Sequence, residues 1–414
     1  MEKSLRFGSL APLKHVEFRH FIFNRLFLTM ALRMVSTVVA YKLFQLTHSS
    51  FSIGLVGLSE FIPVFSLALY AGHVIDQSDK RTLLLKGILS YSICVIGLLV
   101  VTMPFFENRL SISFREISFY VIIFFSGIIR AFAGPTSNAI IAQLIPRDAL
   151  KYAANISSTT YLTASILGHA TAGFLIAFIG VHGTFYVVMA YVLLAAYFVY
   201  TIEKKPIIQS KANVKAWESV KDGLRFVYRH KVLLGAISLD LFAVLFGGAV
   251  ALIPEFADRV LNVGPIGFGW LNAAIDIGSV LMIITLTIIP FKQKQGNILL
   301  FAVFGFGLCI IAFGFSNIYW MSFAALLIAG MLDGISVLIR GTIFQLTTPD
   351  DMRGRVSAVN SMFINSSNEL GQFESGFAAR MMGTVPSVFF GGCMTILVVL
   401  ITFWKAPGLR KFEY

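Results

Sequence analysis

Gly127-Ile-Ile-Arg130, Pro146-Arg-Asp148 and Leu167-Gly168, with four residues before Gly173-Phe174, recur as Gly330-Met-Leu-Asp333, Pro349-Asp-Asp351 and Leu370-Gly371, with four residues before Gly376-Phe377. The offset is constant at 203 residues (330 − 127, 349 − 146, 371 − 168, 377 − 174), close to half of the 414-residue chain. One half of the chain therefore repeats the other. In an apolar chain a repeat of this length fits a transporter built from two similar helical halves that rock around a site between them.

Composition identifies the solvent. The chain is 57% hydrophobic and only 13% charged, with a mean hydropathy of +0.80. That much apolar surface exceeds what a soluble core can bury, so lipid must cover part of it. Crossing about 30 Å of hydrocarbon at about 1.5 Å per residue takes roughly 20 apolar residues. Twelve segments satisfy this, at about 21–45, 51–75, 82–104, 117–142, 155–179, 183–202, 232–257, 267–290, 297–315, 318–343, 355–380 and 383–404. None alternates as a barrel strand does, and helices satisfy their own backbone in lipid. The expected fold is an all-α membrane protein with 12 transmembrane helices in two pseudo-symmetric six-helix halves: 1–202, a linker at 203–231, and 232–414. The first apolar run is too long for a signal-peptide core and reads as an uncleaved span. Cys94, Cys309 and Cys393 lack metal or redox spacing and read as packing residues.

Positive charge stays in the cytoplasm. Of the 33 Lys and Arg, 24 fall on the side that would hold both termini, whereas the opposite loops carry Arg109, Arg115, Arg259 and Arg380. Both termini are therefore expected in the cytoplasm, and the net charge of +12 is a topology signal that requires no nucleic-acid partner. In the linker, Trp217, Val220, Leu224 and Val227 recur at helical spacing among Lys221, Arg225 and Arg229, a pattern for a helix lying on the inner membrane surface.

Charges inside the spans are costly and face protein or water. They are Arg33 and Lys42 in span 1, Glu60 in span 2, Arg130 in span 4, His169 in span 5, Asp240 in span 7, Asp276 in span 8, Asp333 and Arg340 in span 10, and Glu369 and Glu374 in span 11. Arg33 and Glu60 form a candidate cavity ion pair. Arg130 and Asp333 are equivalent by the repeat (333 − 130 = 203), and either a proton site with its partner or a structural pair fits them. Asp276 and Asp240 are further proton-coupling candidates, and His169 reads as a packed helix-contact residue.

Gly72-His-Val-Ile-Asp76-Gln-Ser-Asp79-Lys80-Arg81 resembles the signature loop of the major facilitator superfamily, which usually has Gly where this chain has Asp79. Arg130 and Gly134 are similar to that family's second motif. Leu46-Thr-His-Ser-Ser50, the stretch Leu239 to Gly248, and Thr348-Pro-Asp-Asp-Met-Arg-Gly-Arg355 look like its bacterial enterobactin-exporter-like, drug-efflux branch. The resemblance implies a proton-driven exporter of a small amphipathic molecule (siderophore, drug or metabolite) in the bacterial inner membrane. It would act as a monomer whose partners are substrate, protons and membrane lipid, with no cofactor or metal. Gly72, Asp76, Lys80 and Arg81 would form the gating motif. Thr348 reads as the N-cap of span 11, whose positive dipole end Asp76 would latch. No Gly-x-Ser-x-Gly elbow, His-Glu-x-x-His helix or phosphate-binding Gly-Lys-Ser/Thr loop occurs, which speaks against an enzyme or an ATP-driven pump. A lysophospholipid or lipid transporter of the same fold, or a transport-dead membrane sensor, are the alternatives.

Overall fold

The computed structural model describes residues 10–107, 109–206, 216–289, 291, 293–349 and 352–413. Its long helices are α1 Val16–Thr47, α2 Ser50–Gln77, α3 Lys80–Val101, α4 Ile112–Leu144, α5 Leu150–Tyr200, α6 Ala216–Arg229, α7 Lys231–Gly247, α8 Pro265–Ile288, α9 Gln295–Phe315, α10 Tyr319–Thr347, α11 Arg353–Met382 and α12 Thr384–Lys405. Among the described residues, ten helices are long and apolar enough to cross a membrane. Two more spans follow from physical argument. A single helix of 51 residues, such as α5, would be about 76 Å long, more than twice the hydrocarbon thickness. It instead breaks at Gly180 (φ 74°, ψ 173°) into two helices. The other is α11, whose Asn365, Asn368, Glu369 and Glu374 depress its hydropathy, although its 30 residues are long enough to span.

By its contacts the chain forms two compact units: residues 1–39 with 62–213, and residues 40–61 with 214–414. The repeat is visible in backbone contacts within each. A Cβ at Gly168 of α5 would lie 2.9 Å from the Met30 carbonyl oxygen of α1, and a Cβ at Gly371 of α11 would lie 2.8 Å from that of Val244 in α7. Only glycine allows such close approach. Gly180 and Gly383, also 203 apart, both have positive φ, 74° and 90°, and each turns the chain between the last two spans of its half.

In the second unit, α8 and α10 meet where a Cβ at Gly278 would strike the Leu327 carbonyl oxygen at 2.0 Å and one at Gly330 that of Ile275 at 2.0 Å. Ser279 completes this contact, its hydroxyl donating to the Gly330 carbonyl at 2.9 Å. Span 7, expected to be continuous, ends as a helix at Gly247 and continues through short turns at Ala249–Leu252, Ile253–Glu255 and Phe256–Val260. Those turns place Glu255 against the segment 40–61. Ser50 donates to its carboxylate, Arg259 pairs with it at 2.8 Å, and Arg259 also donates to the His48 carbonyl at 3.0 Å.

Two local expectations change. Thr348 does not open α11: it closes α10, its N–H donating to the Phe344 carbonyl at 3.2 Å, and α11 starts at Arg353. The amphipathic helix forms as expected, but not all of its apolar face points outward. Val227 is buried and Val220 partly buried in the core of the second unit. Gly223 lies so close to the Arg355 carbonyl that a Cβ would approach it to 2.7 Å, while Leu224 and Tyr228 remain exposed.

Candidate functional site

The densest buried charge in the described residues is in the second unit. Asp333, Ser336 and Arg340 recur at i, i+3 and i+7 on α10, so one face presents all three. Arg340 pairs with Asp240 of α7 and lies 4.0 Å from Asp333. Its Nε donates to the Ser336 hydroxyl at 3.0 Å, which fixes the guanidinium against its own helix. Asp240 is buried, whereas the Asp333 side chain keeps 35% of its surface. A void of about 20 Å³, lined by Asp240, Asp333, Ser336 and Phe306 among others, is large enough for about one water. Asp276, on α8, adds a further negative charge to the surroundings of Asp333. One guanidinium thus lies beside two carboxylates, Asp240 and Asp333.

Sequence reasoning brought Asp240 and Asp333 forward separately and gave Arg340, which joins them, no role. Its seven-residue spacing from Asp333 was the available signal. Arg130, the repeat counterpart of Asp333, is on α4 in the first unit.

The first unit holds a different arrangement. Arg33 donates to the Tyr161 hydroxyl at 2.7 Å, and the guanidinium carbons of Arg25 and Arg33 lie 5.5 and 5.6 Å from the Tyr161 ring centroid. Glu60, the expected partner of Arg33, belongs to the segment assigned to the second unit. Thr37 and His169 are 2.7 Å apart, oxygen to Nδ1, and His169 is buried, as a packed histidine would be. Arg25 was overlooked because it sits near the start of the apolar run. Since α1 begins at Val16, Arg25 is more than two turns inside the helix.

The signature stretch is mostly helical. Gly72 and Asp76 lie within α2, which continues to Gln77, and the Asp76 side chain is outside the described residues. The loop shrinks to Ser78-Asp79. Asp79 caps α3 by accepting from the Thr82 N–H at 3.2 Å, so the position where the family usually has Gly is a helix start here. Lys80 is buried and donates to the Ile75 carbonyl at 3.1 Å, serving the open carbonyls at the end of α2. Arg81 donates to the carbonyls of Ile202 at 3.1 Å and Tyr200 at 2.5 Å, and so anchors the end of α5 to the start of α3. The basic pair thus places its charges at the negative ends of two helix dipoles.

A family model described as "Transmembrane secretion effector" matches residues 7–413. An MFS-type transporter of Bacillus subtilis, YfiS, is 25% identical over 386 residues, covering 89% of this chain and 88% of that protein. The enterobactin exporter EntS of Escherichia coli is 22% identical over 415 residues, covering 100% and 97%. Among solved structures, the D-xylose-proton symporter superposes with a TM-score of 0.75 at 13% identity, covering 97% of this chain and 100% of that one. Two repeated halves, their shared glycine contacts and a family match along nearly the whole chain lead to one conclusion: the protein is a multi-pass membrane protein of the major facilitator superfamily, in its family of transmembrane secretion effectors.

Proposed function

We propose that the protein is a proton-driven exporter of a small amphipathic molecule across the bacterial inner membrane, with both termini in the cytoplasm. The observation that carries this reading is the Asp240–Arg340–Asp333 cluster. In a low-dielectric interior, two carboxylates sharing one guanidinium hold a proton when the site is dry and release it when water or a changed Arg340 position stabilises both charges. Asp240, the buried member, is the tighter partner of Arg340. Asp333, closer to the surface, is the member that exchanges protons. Export follows if protonation favours return of the empty carrier and proton release on the cytoplasmic side accompanies loading. Similarity to an enterobactin exporter supports the outward direction, and the 24 Lys and Arg assigned to one side support the orientation.

The test has two steps. Metabolites that accumulate in cells lacking the protein identify a transported compound. Proteoliposomes with an imposed pH gradient then compare wild type, Asp333→Asn and Asp240→Asn for uphill transport and for gradient-free exchange. Asp333→Asn is expected to lose uphill transport and keep exchange. If it still concentrates the compound under a proton gradient, the cluster does not couple protons.

A further inference from the structure

The first unit contains a cavity of about 310 Å³ between α1, α4 and α5, at the low end of the range for small-molecule sites. Its polar wall is Arg25, Asn138, Ser157 and Ser158, and Ile141 and Leu150 contribute to the apolar one. Arg25 reaches only neutral atoms here, the Ser137 hydroxyl and the Asn138 side-chain amide oxygen, both at 3.4 Å. Its buried Nε and the buried Ser157 hydroxyl have no hydrogen-bond partner. Among the described residues no carboxylate pairs with Arg25, and the Tyr161 ring beside it gives a cation–π contact, which carries no formal negative charge.

An arginine at this depth ordinarily has an anion beside it. The corresponding helix contact of the second half holds one. Ser137 of α4 and Arg340 of α10 are 203 residues apart, and each meets the first helix of its own half: Ser137 meets Arg25, and Arg340 meets Asp240. The α7–α10 position holds a complete ion pair, and the α1–α4 position holds only the cation. Asn138 and Ser158 are exposed, and an amide and a hydroxyl on a membrane helix face water rather than hydrocarbon. The cavity therefore reaches the protein surface at these two residues. In the proposed orientation it lies toward the cytoplasmic side, since α1 begins and α4 ends there.

The geometry points to an oxyanion subsite: the Arg25 guanidinium, together with Asn138 and Ser158, binds the carboxylate or phosphate of an amphipathic substrate, whose apolar part lies against Ile141 and Leu150. This assignment rests on the transporter reading above and adds the substrate class, an amphipathic anion. The guanidinium fork suits a planar carboxylate or a phosphate, each of which accepts two parallel N–H bonds. The anion belongs to the transported molecule, and a phospholipid headgroup is the competing source.

The test is equilibrium binding of 4-phenylbutyrate to the purified full-length protein in phosphatidylcholine nanodiscs, with 4-phenylbutyramide as the uncharged isostere. Wild type is expected to bind the acid in preference to the amide. Arg25→Gln should weaken acid binding about tenfold, the worth of one charge-assisted hydrogen bond, and leave amide binding unchanged. Ser137→Asp supplies the missing carboxylate from the protein itself, so it should abolish acid binding and raise the melting temperature, which keeps the test decisive if Arg25→Gln fails to fold. Equal binding of acid and amide by wild type, or unchanged acid binding in Ser137→Asp, would overturn the subsite. Displacement of phenylbutyrate by phosphatidylglycerol in the nanodisc would overturn the assignment to a transported solute in favour of a lipid headgroup. Binding needs no gradient, so a failure of proton coupling in Asp333→Asn leaves this measurement intact, and loss of the subsite leaves the coupling test intact.

Discussion

Two pairs of positions, one in each half, carry opposite chemistry on similar backbones. Where α1 meets α4, an arginine reaches a serine; where α7 meets α10, an aspartate reaches an arginine. The helix contacts around them are alike, with Gly168 on Met30 of α1 and Gly371 on Val244 of α7. The repeat thus preserves how backbones approach, and charge has diverged on that shared frame. The reason is steric. A Cβ placed less than 3 Å from a carbonyl oxygen, as at Gly168 and Gly371, forces whole helices apart. A side chain facing a water-filled space changes with little effect on packing. Glycine positions report the fold, and charged positions report where the halves diverge: an ion pair in the second, an arginine among neutral groups in the first.

The comparison breaks most visibly at Arg340. Arg340→Gln removes the single cation and leaves Asp240 and Asp333 facing each other. Loss of one partner from a buried pair costs about 3–5 kcal/mol, and denaturation in detergent measures it. Adding Asp240→Asn to that variant should recover more than half of the loss, because the uncompensated charge disappears with it. In the first unit, Ser137→Ala removes only a 3.4 Å neutral contact and should cost less than about 1 kcal/mol. Equal costs at the two sites would mean that Arg340 is as loosely held as Arg25.

Much of this was legible in the sequence. The constant offset of 203 residues gave two halves, and interior Asp and Arg residues marked the polar faces of the helices. Other features depend on information that sequence spacing lacks. Repeat arithmetic matches Asp333 with Arg130, yet the cation it meets is Arg340, on the same face of its own helix two turns away. Thr348 followed by Pro349 carries the composition of a helix start, but its N–H is taken by the Phe344 carbonyl, so the last turn of α10 claims it first. By its sequence context Asp79 stands where the superfamily loop usually has glycine. The short connection makes it the N-cap of α3, a role that depends on where α2 ends. Gly180 and Gly383 gave no signal above that of other glycines, because a positive φ is a property of the backbone path.

Those two glycines sharpen the comparison at a smaller scale. Gly180 (φ 74°, ψ 173°) and Gly383 (φ 90°, ψ 163°) occupy a region of backbone space open essentially to glycine alone. A Cβ at Gly180 would touch nothing within 4 Å, and one at Gly383 only Pro386 at 3.8 Å. The cost of alanine at either is therefore conformational rather than steric, about 2 kcal/mol. Gly180→Ala and Gly383→Ala should lower the unfolding free energy by similar amounts, and a difference of more than about 1 kcal/mol would show that the two turns are not equivalent.

The smallest expected effect concerns the third helix of each half. Helix α3 begins with Asp79 in extended conformation, its carboxylate accepting from the Thr82 N–H. Helix α9 begins after Lys294, which has left-handed φ 59° and no side-chain cap bond. The first helix start is thus stabilised by its side chain, and the second is strained by having one. Asp79→Ala should destabilise by about 1 kcal/mol, the usual worth of a lost N-cap. Lys294 is exposed and donates nothing to its helix, so Lys294→Ala should be close to neutral. Lys294→Gly should stabilise by up to about 1 kcal/mol, because glycine occupies the left-handed region without a Cβ clash. Chemical denaturation of the three variants in one detergent distinguishes these signs. Destabilisation by Lys294→Gly would show that the lysine holds the second helix start, and the contrast between the two halves at this position would then be lost.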